Sequence, residues 1–385
     1  MEKKVLLKNV AEFKEVLTML SSNVVKPRNS SGEVFVWVDK GRLYVYAIGD
    51  ESRGYVWTEV SGDWDKDESP KFTVLQVFMT KAVAMLLDDE DAWLVFDENE
   101  LCMKICSKSI NFSFRAVRKK FDNDKEVSPL AEFSIPSDIM KDVQKKVVPC
   151  SKKVMKDPNR PDSVDIVAEN GCVTVNATNG TRMATLTMPT TTTAKDFHIL
   201  TPPALWNLAG AAQSGSIHLK LYENEIAIYG DKFSYKFRNY NGPMVNYKLP
   251  LNNSFEVSIQ ADKEKLLQAL RAVQLVACTL DNHFMELHFE GNEMCFFASD
   301  KGVGTTVARV PFVSSEASRL NQKSIVCNNE YFLDAVSASE ALVELVVVAP
   351  ELDAFDQKPL KFLTSDHSIM LMAPLRKESS KRVAE

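Results

Sequence analysis

Along the chain, short runs of alternating apolar and polar residues give way to apolar residues at three- and four-residue spacing, and this switch occurs three times. The segments are VLLKNVAEFKEVLTMLSS from Val5, AEFSIPSDIMKDVQKKVV from Ala131 and FEVSIQADKEKLLQALRAV from Phe255. Each alternating start predicts a strand and each continuation a helix. The helical stripes are Phe13, Val16, Leu17 and Leu20; Ile139, Met140, Val143 and Val147; Leu266, Leu267, Leu270 and Val273. A second strand-then-helix landmark follows in each case: FTVLQVFMTKAVAMLLD from Phe72, FHILTPPALWNLAGAA from Phe197 and SIVCNNEYFLDAVSAS from Ser324. Both landmarks recur about every 125 residues. Solenoid repeats are shorter, about 20–50 residues, so this period means repeated domains.

Between the helices the alternation predicts antiparallel strands in groups. Residues 33–49 hold two runs around Asp39-Lys-Gly41, residues 91–117 hold three, and residues 216–238 and 284–310 repeat the theme. VNATNGTRMATLTMP, from Val175, is a hairpin around an Asn-Gly turn. Junctions are expected at Phe121–Ser128 and Leu249–Ser254, both polar. Each unit is thus an antiparallel meander carrying two helices whose apolar faces cover a sheet, an α+β architecture. The expected boundaries are 1–127, 128–252 and 253–385. Such units could form a string, or close into a ring alone or with a second chain.

Composition fits a folded, soluble chain: 45% hydrophobic, 25% charged, with no run long enough to span a membrane. Charges at Lys8, Glu12, Lys14 and Glu15 interrupt the N-terminal apolar residues, unlike a signal peptide, so an intracellular, cytoplasmic protein is expected. Seven scattered cysteines suggest reduced thiols rather than a disulfide framework. The sequons at Asn111, Asn176 and Asn179 are then chance matches.

No phosphate loop, H-E-x-x-H, C-x-x-C or G-x-S-x-G motif is present, and no enzyme activity, cofactor or metal is expected. His283 and His288 bracket a strand on opposite faces. Cys102 and Cys106 share a strand face, where core-facing thiols are favoured over a ligand pair. Asp300-Lys-Gly-Val-Gly-Thr-Thr306 has the glycines of a phosphate loop, but strand residues follow it, so a hairpin turn is expected.

The net charge of −6 disfavours a protein coated in nucleic acid, yet residues 136–160 hold seven Lys/Arg against three acids. On the helix from Ser137, the apolar stripe leaves Lys141, Lys145 and part of Lys146 on the open side, with Lys152 and Lys153 beyond it. Lys265 and Arg271 lie off the third stripe, and Lys14, Lys26 and Arg28 lie on or just past the first helix. Solvated helix faces would explain each alone. Recurrence on the equivalent helix of each repeat points to a shared phosphate-facing surface that does not read sequence.

The chain resembles the bacterial DNA polymerase sliding clamps, the polymerase III beta subunit family, including phage-encoded relatives. Ala177-Thr-Asn-Gly-Thr-Arg-Met-Ala184 is similar to the family's A-T-D-G-H-R-L-A, and Tyr247-Lys-Leu-Pro250 to its R-V-L-P. Asn328-Asn-Glu-Tyr-Phe-Leu-Asp-Ala335 is similar to N-x-x-Y-L-L-D-A, and Met372-Ala-Pro-Leu-Arg376 to the closing M-P-M-R. The resemblance implies three clamp domains per chain and two chains head to tail in a six-domain ring, with sheets outside and twelve helices around duplex DNA. It implies a non-enzymatic processivity factor whose partners are DNA, a second copy, a replicative polymerase and a clamp loader, in the cytoplasm at a nucleoid or inside a phage's host.

The resemblance also implies a hydrophobic cleft for partner peptides, built here from Thr178, Gly180, Thr181, Arg182, Met183, Pro250, Leu371, Met372, Pro374, Leu375 and Arg376. Methionine-rich clefts adapt to several linear motifs. On this view Arg182 is a rigid donor bordering the pocket. Thr181 replaces the family's histidine, Ala373 its methionine and Lys377 its terminal leucine, and ESSKRVAE extends beyond. For the ring interface, Phe112 and Phe114 are expected to meet Leu275 and Val276; the competing reading makes all four domain core. The rival function is a clamp-fold scaffold that is never loaded on DNA.

Overall fold

The computed structural model describes residues 2–24, 32–62, 72–118, 128–152, 162–188, 196–210, 215–240, 242, 245–351, 355–365 and 368–375. It divides into two compact units: Met1–Asp138 with Thr190–Lys195 and Ala204–Asn239, and Ile139–Pro189 with Asp196–Pro203 and Tyr240–Glu385. Among the described residues every strand pairing is antiparallel, between short segments. The strands of the middle third are divided between the two units' sheets.

In the first unit a sheet runs in the order Ala131–Pro136, Ser216–Leu221, Glu225–Gly230, Phe233–Arg238, Ser52–Ser61, Glu2–Leu7, Ala92–Asp97, Cys102–Cys106 and Asn111–Arg115. Arg42–Ile48 also pairs with Ser52–Ser61, and Glu33–Asp39 pairs with Arg42–Ile48. Along Glu33–Asp39 every second residue is buried, so Val34, Val36 and Val38 meet the helices while Phe35 and Trp37 face away. Helix Val10–Asn23 begins at Asn9, whose Oδ1 accepts the Glu12 N–H at 3.0 Å, a cap worth about 1 kcal/mol. Phe13, Val16, Leu17 and Leu20 are all buried. Gln76–Ala84 packs beside this helix.

In the second unit the order is Phe197–Thr201, Val164–Glu169, Cys172–Thr178, Arg182–Met188, Ser368–Met372, Leu360–Ser365, Leu342–Val348, Phe255–Asp262, Gly304–Val313, Glu293–Asp300, Phe284–Glu290 and Ser324–Asn328. Helices Lys263–Ala277 and Asn329–Ala338 cover one face, capped by Asp262 and Asn328, each accepting a backbone N–H at 2.9 Å. Phe332 stands edge-on to Phe296 and Phe362, with centroids 5.6 and 5.0 Å away. Among the described residues no helix is long and apolar enough to cross a membrane.

Two of the expected helices differ in form. The helix from Ser137 is α-helical only to Asp142, then widens to a π turn over Val143–Val147 and tightens to a 3-10 turn over Val148–Ser151. Pro149, without an N–H, falls in that last turn. Pro203–Gly210 is a 3-10 helix rather than an α-helix, with Leu205, Trp206 and Leu208 buried.

Candidate functional site

The Asn-Gly turn organises the candidate cleft. Asn179 Oδ1 accepts the N–H groups of Thr181 and Arg182 at 3.1 and 2.9 Å, and Thr178 donates its hydroxyl to the Arg182 carbonyl at 2.8 Å. Gly180 sits at φ +92° with open space around it, so the left-handed backbone rather than crowding requires glycine. Gly180 and Thr181 are exposed and Thr178 is half-buried.

Arg182 does not border a surface pocket, as the resemblance implied. It is only 6% exposed. Its Nη1 donates to Asp334 Oδ2 at 2.5 Å, its Nη2 to the Pro149 carbonyl at 2.6 Å, and its guanidinium lies 4.1 Å over the Tyr331 ring. Asn179 Nδ2 reaches the Tyr331 hydroxyl at 3.3 Å and the Lys152 carbonyl at 3.1 Å. The arginine braces the turn against helix Asn329–Ala338. Burial pushes the neighbouring Cys150 thiol up to about 12, with the guanidinium opposing, so that thiol is inert.

The sheet's pleat then separates residues expected on one wall. Strand Arg182–Met188 pairs with Ser368–Met372, placing Arg182 opposite Met372 and Met183 opposite Leu371. Successive side chains take opposite faces, so Arg182 and Met372 point inward and Met183 and Leu371 outward. Met183, Leu371 and Tyr247 form an outward cluster, with Val245, Leu251, Phe255 and Ile369 packed against it. Pro250 is half-buried in the short helix Lys248–Leu251, its carbonyl accepting from Asn253 Nδ2 at 2.7 Å. The Lys361 ammonium lies 5.1 Å over the Phe255 ring. Ala373 N–H donates to the Thr181 carbonyl at 2.8 Å, and Leu375 N–H to that of Val326 at 2.8 Å; Pro374 and Leu375 are half-buried. Arg376 lies outside the described residues.

Tyr247, Phe255, Val245 and Leu251 were not expected here. Tyr247 stands inside the quoted Y-K-L-P motif, which was the available signal. Asp334, the brace's acceptor, likewise stands inside N-N-E-Y-F-L-D-A.

Of the basic candidates, Lys141, Lys145, Lys152, Lys265 and Arg271 are exposed. Lys146 is not on the open side: it is 3% exposed, donating to Asp142 Oδ2 at 2.9 Å and lying 3.9 Å from Glu340. The wide π turn changes the angular spacing and carries it inward. Lys26, Arg28 and Lys153 lie outside the described residues. Lys14 donates to the Leu86 carbonyl and Asp88, both at 2.6 Å, leaving Glu15, Thr18 and Ser22 on the first helix's solvent side. A pocket of about 410 Å³ lies among Asp142, Lys145, Lys146, Asp262, Lys263 and Glu264. Burial, then Lys145, holds the Lys263 amine below its ordinary value, while Ser337 and Ser339 carbonyls accept from it at 3.0 and 2.5 Å.

Phe112 and Phe114 stack at 6.2 Å on the edge strand Asn111–Arg115 and are half-buried. Leu275 is 74% exposed, but Val276 is 5% exposed and belongs to the core beneath its helix, where Val273 and Ala277 flank it. The Asp300 loop is a hairpin turn, its carboxylate accepting the Gly302 N–H at 2.7 Å. Asp97, Glu100 and Cys102 bring potential ligand atoms together, but Lys104 lies 3.6 and 3.8 Å from the two carboxylates and opposes their charge. The cluster reads as an ion-paired turn.

No protein-family model and no curated protein matches the chain by sequence. Solved structures do match. A sliding clamp (DNA polymerase III subunit beta) from Pseudomonas aeruginosa, bound to griselimycin, superposes with TM-score 0.82 at 14% identity, covering 97% of this chain and 100% of that one. The DNA polymerase III beta subunit of Thermotoga maritima gives 0.81 at 16% identity, with 98% and 100% covered. The beta subunit from DNA polymerase of Streptococcus pyogenes gives 0.81 at 14%, with 97% and 100% covered. At such identities the likeness concerns the backbone: over nearly its whole length, this chain has the fold of the bacterial DNA polymerase III beta-subunit sliding clamps.

Proposed function

We propose that the chain is a sliding clamp, a non-enzymatic ring of two copies that encircles duplex DNA and tethers a replicative polymerase. Its three clamp domains are 1–127, 128–252 and 253–385. The observation that carries the reading is an unfinished strand joint. Strand Ser52–Ser61 pairs with Phe233–Arg238, placing Gly54 opposite Tyr235 and Ser52 opposite Phe237. Strand Arg182–Met188 pairs with Ser368–Met372, placing Ala184 opposite Met370 and Arg182 opposite Met372. In both joints the receiving strand's two large inward side chains are buried.

The third receiving strand is Asn111–Arg115. Hairpin register makes its Phe112 and Phe114 the counterparts of Tyr235 and Phe237. It ends its sheet among the described residues, and both rings stay half-exposed. The third donating strand is Gly304–Val313, with Thr306 at the place of Gly54 and Ala184. Its partner on the far side, Phe255–Asp262, pairs only with Phe312 and Val313, leaving residues 304–311 with one open edge among the described residues. One open receiver and one open donor per chain favour head-to-tail closure of two copies. Phe112 and Phe114 then meet a second copy, with Leu275 nearby.

Exposed Lys141, Lys145, Lys152, Lys265 and Arg271, with Lys26, Arg28 and Lys153, supply salt-sensitive phosphate contacts that hold DNA without reading it. Peptides of the polymerase and the clamp loader dock over the half-buried Val245, Leu251, Phe255 and Ile369, which pack against the buried Met183, Leu371 and Tyr247, with the exposed Gly180 and Thr181 and the half-buried Pro374 and Leu375 at the rim. Such a protein works in the cytoplasm, at a bacterial nucleoid or inside a phage's host. The rival reading, a clamp-fold scaffold never loaded on DNA, draws on the first helix's Glu15, Thr18 and Ser22 face, which offers DNA no cation.

The deciding experiment measures polymerase processivity on circular primed DNA with the cognate polymerase and loader. Full-length extension is expected with this chain and should be lost with Lys141→Glu, Lys145→Glu and Arg271→Glu together. Unchanged processivity with and without the chain overturns the reading and leaves the scaffold.

A further inference from the structure

The second helix of each repeat carries one side chain at the same point of the fold, and in one repeat of three it is bare. Strand register aligns the repeats: Phe35 lies between Tyr46 and Thr73, Asp165 between Asn176 and Leu200, and Glu286 between Phe297 and Val326. Five residues beyond Thr73, Leu200 and Val326 come Phe78, Leu205 and Tyr331. The next residues, Met79, Trp206 and Phe332, are all buried, so the three helices are in the same frame. Leu205 and Tyr331 are buried, whereas Phe78 is 56% exposed.

The closed joint of the second unit shows what covers this position. Tyr331 belongs to the repeat that supplies the receiving strand Ser368–Met372, and the turn before the donating strand Arg182–Met188 reaches over it. The Arg182 guanidinium lies 4.1 Å over its ring, and Asn179 Nδ2 is 3.3 Å from its hydroxyl. The Pro149 carbonyl and Asp334 complete the surroundings of Arg182. Leu205 belongs to the repeat that supplies Phe233–Arg238, the receiving strand of the other closed joint. Phe78 belongs to the repeat that supplies Asn111–Arg115, whose joint is open among the described residues.

The open donor has the matching turn. With Thr306 at the place of Ala184, Gly304 stands where Arg182 does. Asp300 stands where Asn179 does, and each accepts two backbone N–H groups of its turn. Ser137 and Lys263 begin equivalent helices, their N–H groups bonded to the Gly215 and Ala341 carbonyls, so Leu275 takes the place of Pro149. The polar brace of the second joint is thus replaced as a set. A Cβ on Gly304 would meet nothing within 4 Å, which leaves open the room that the Arg182 side chain fills. The Asp300 carboxylate already accepts the Thr279 hydroxyl at 3.1 Å, and the ring due to meet this turn, Phe78, has no hydroxyl to satisfy. Leu275, 74% exposed, adds an apolar wall. Lys81, at the place of Asp334, has no arginine to pair with there.

We infer that Phe78 of one copy seats on the Asp300–Gly304 turn of a second copy, against its Leu275, as an apolar latch beside the strand joint. The inference rests on the two-copy reading and adds helix Gln76–Ala84 to it. A second copy is the fitting occupant because both equivalents of Phe78 are covered by the repeat across their own joint, and a ring left in water gains by burial.

The test is the mass of the full chain by light scattering over a dilution series, for the wild type, Phe78→Glu and Val77→Glu. Val77 is exposed too, but its equivalent Glu330 keeps a side chain 49% exposed in the closed joint, so Val77→Glu should leave the mass curve unchanged. Phe78→Glu should raise the two-chain dissociation constant at least about tenfold. A two-chain wild type with equal dissociation of both variants, or with no effect of Phe78→Glu, would overturn the latch and leave the ring standing. A one-chain wild type at every concentration would overturn the ring and the latch together. Should Phe78→Glu unfold by circular dichroism, hydroxyl-radical footprinting of the wild type decides. Phe78 should be oxidised less than in the one-chain variant carrying Phe112→Asp and Phe114→Asp, and Val77 equally in both. Equal oxidation of Phe78 in the two proteins would overturn the latch.

Discussion

In the first unit the strand joint closes by laying Tyr235 against Gly54, whereas in the second the same backbone pairing sets Ala184 against Met370 and adds a buried arginine. A Cβ on Gly54 would lie 2.3 Å from Tyr235 Cδ1 and 2.5 Å from the Ser234 carbonyl, so that joint tolerates no side chain. Its ion pair, Arg53 with Glu225, sits on the outward face, with both side chains 28% exposed. The second joint's ion pair points inward, with Arg182 nearly enclosed. One register has thus been stabilised by shape in one place and by a buried charge in the other. Shape complementarity fails on adding atoms, and a buried charge fails on removing its partner.

The largest expected effect concerns the joint left open within one chain. Phe112→Asp with Phe114→Asp should convert a two-chain mass to a one-chain mass by light scattering, while the urea midpoint of each unit stays near its original value. A two-chain mass for the folded variant would refute the third joint.

Within the closed joints, Gly54→Ala should cost about 3 kcal/mol in urea unfolding, because backbone as well as a ring must move. Ala184→Gly in the other joint should cost about 1 kcal/mol, the entropy of a strand glycine and a lost methyl. Arg182→Met should cost about 2 kcal/mol, since the Pro149 carbonyl and Asp334 lose their donor. Arg53→Met should cost about 1 kcal/mol or less, because solvent replaces the partner. Equal costs for the two arginines would remove the distinction between inward and outward locks.

How much of this was legible in the sequence varies with the range of the interaction. Strand and helix order follow from local periodicity, and the runs from Val5, Ala131 and Phe255 fold where the spacing placed them. Arg182's inward face was also legible in principle: Ala184, Leu186 and Met188 follow at every second residue, all apolar and all buried. The family likeness instead placed it at a pocket. Its acceptor Asp334 was not legible, because 152 residues separate the two and no local pattern links them. Lys146 misled for a different reason, since helical spacing assumed a regular α turn where the chain widens.

The smallest expected effect is an acid titration that separates the units. In the second unit Arg319 donates to Glu351 at 2.6 Å and also binds Glu256 and Glu316, and Arg319 holds the Glu351 carboxyl down at about 2 against an ordinary 4.5. Between those values the folded chain keeps this carboxylate charged while the unfolded chain protonates it. The associated stability is therefore whole above pH 4.5 and is lost as pH falls toward 2. In the first unit Lys8 lowers Glu59 in the same direction on the strand that forms the Gly54 joint. Both groups are exposed, so each contribution should amount to roughly a degree in Tm. Arg319→Ala should flatten the acid slope of the second unit's transition only, and Lys8→Ala that of the first. If either substitution flattened both slopes equally, the two units would be melting as one, and the contrast between their joints would have to be measured by local hydrogen exchange instead.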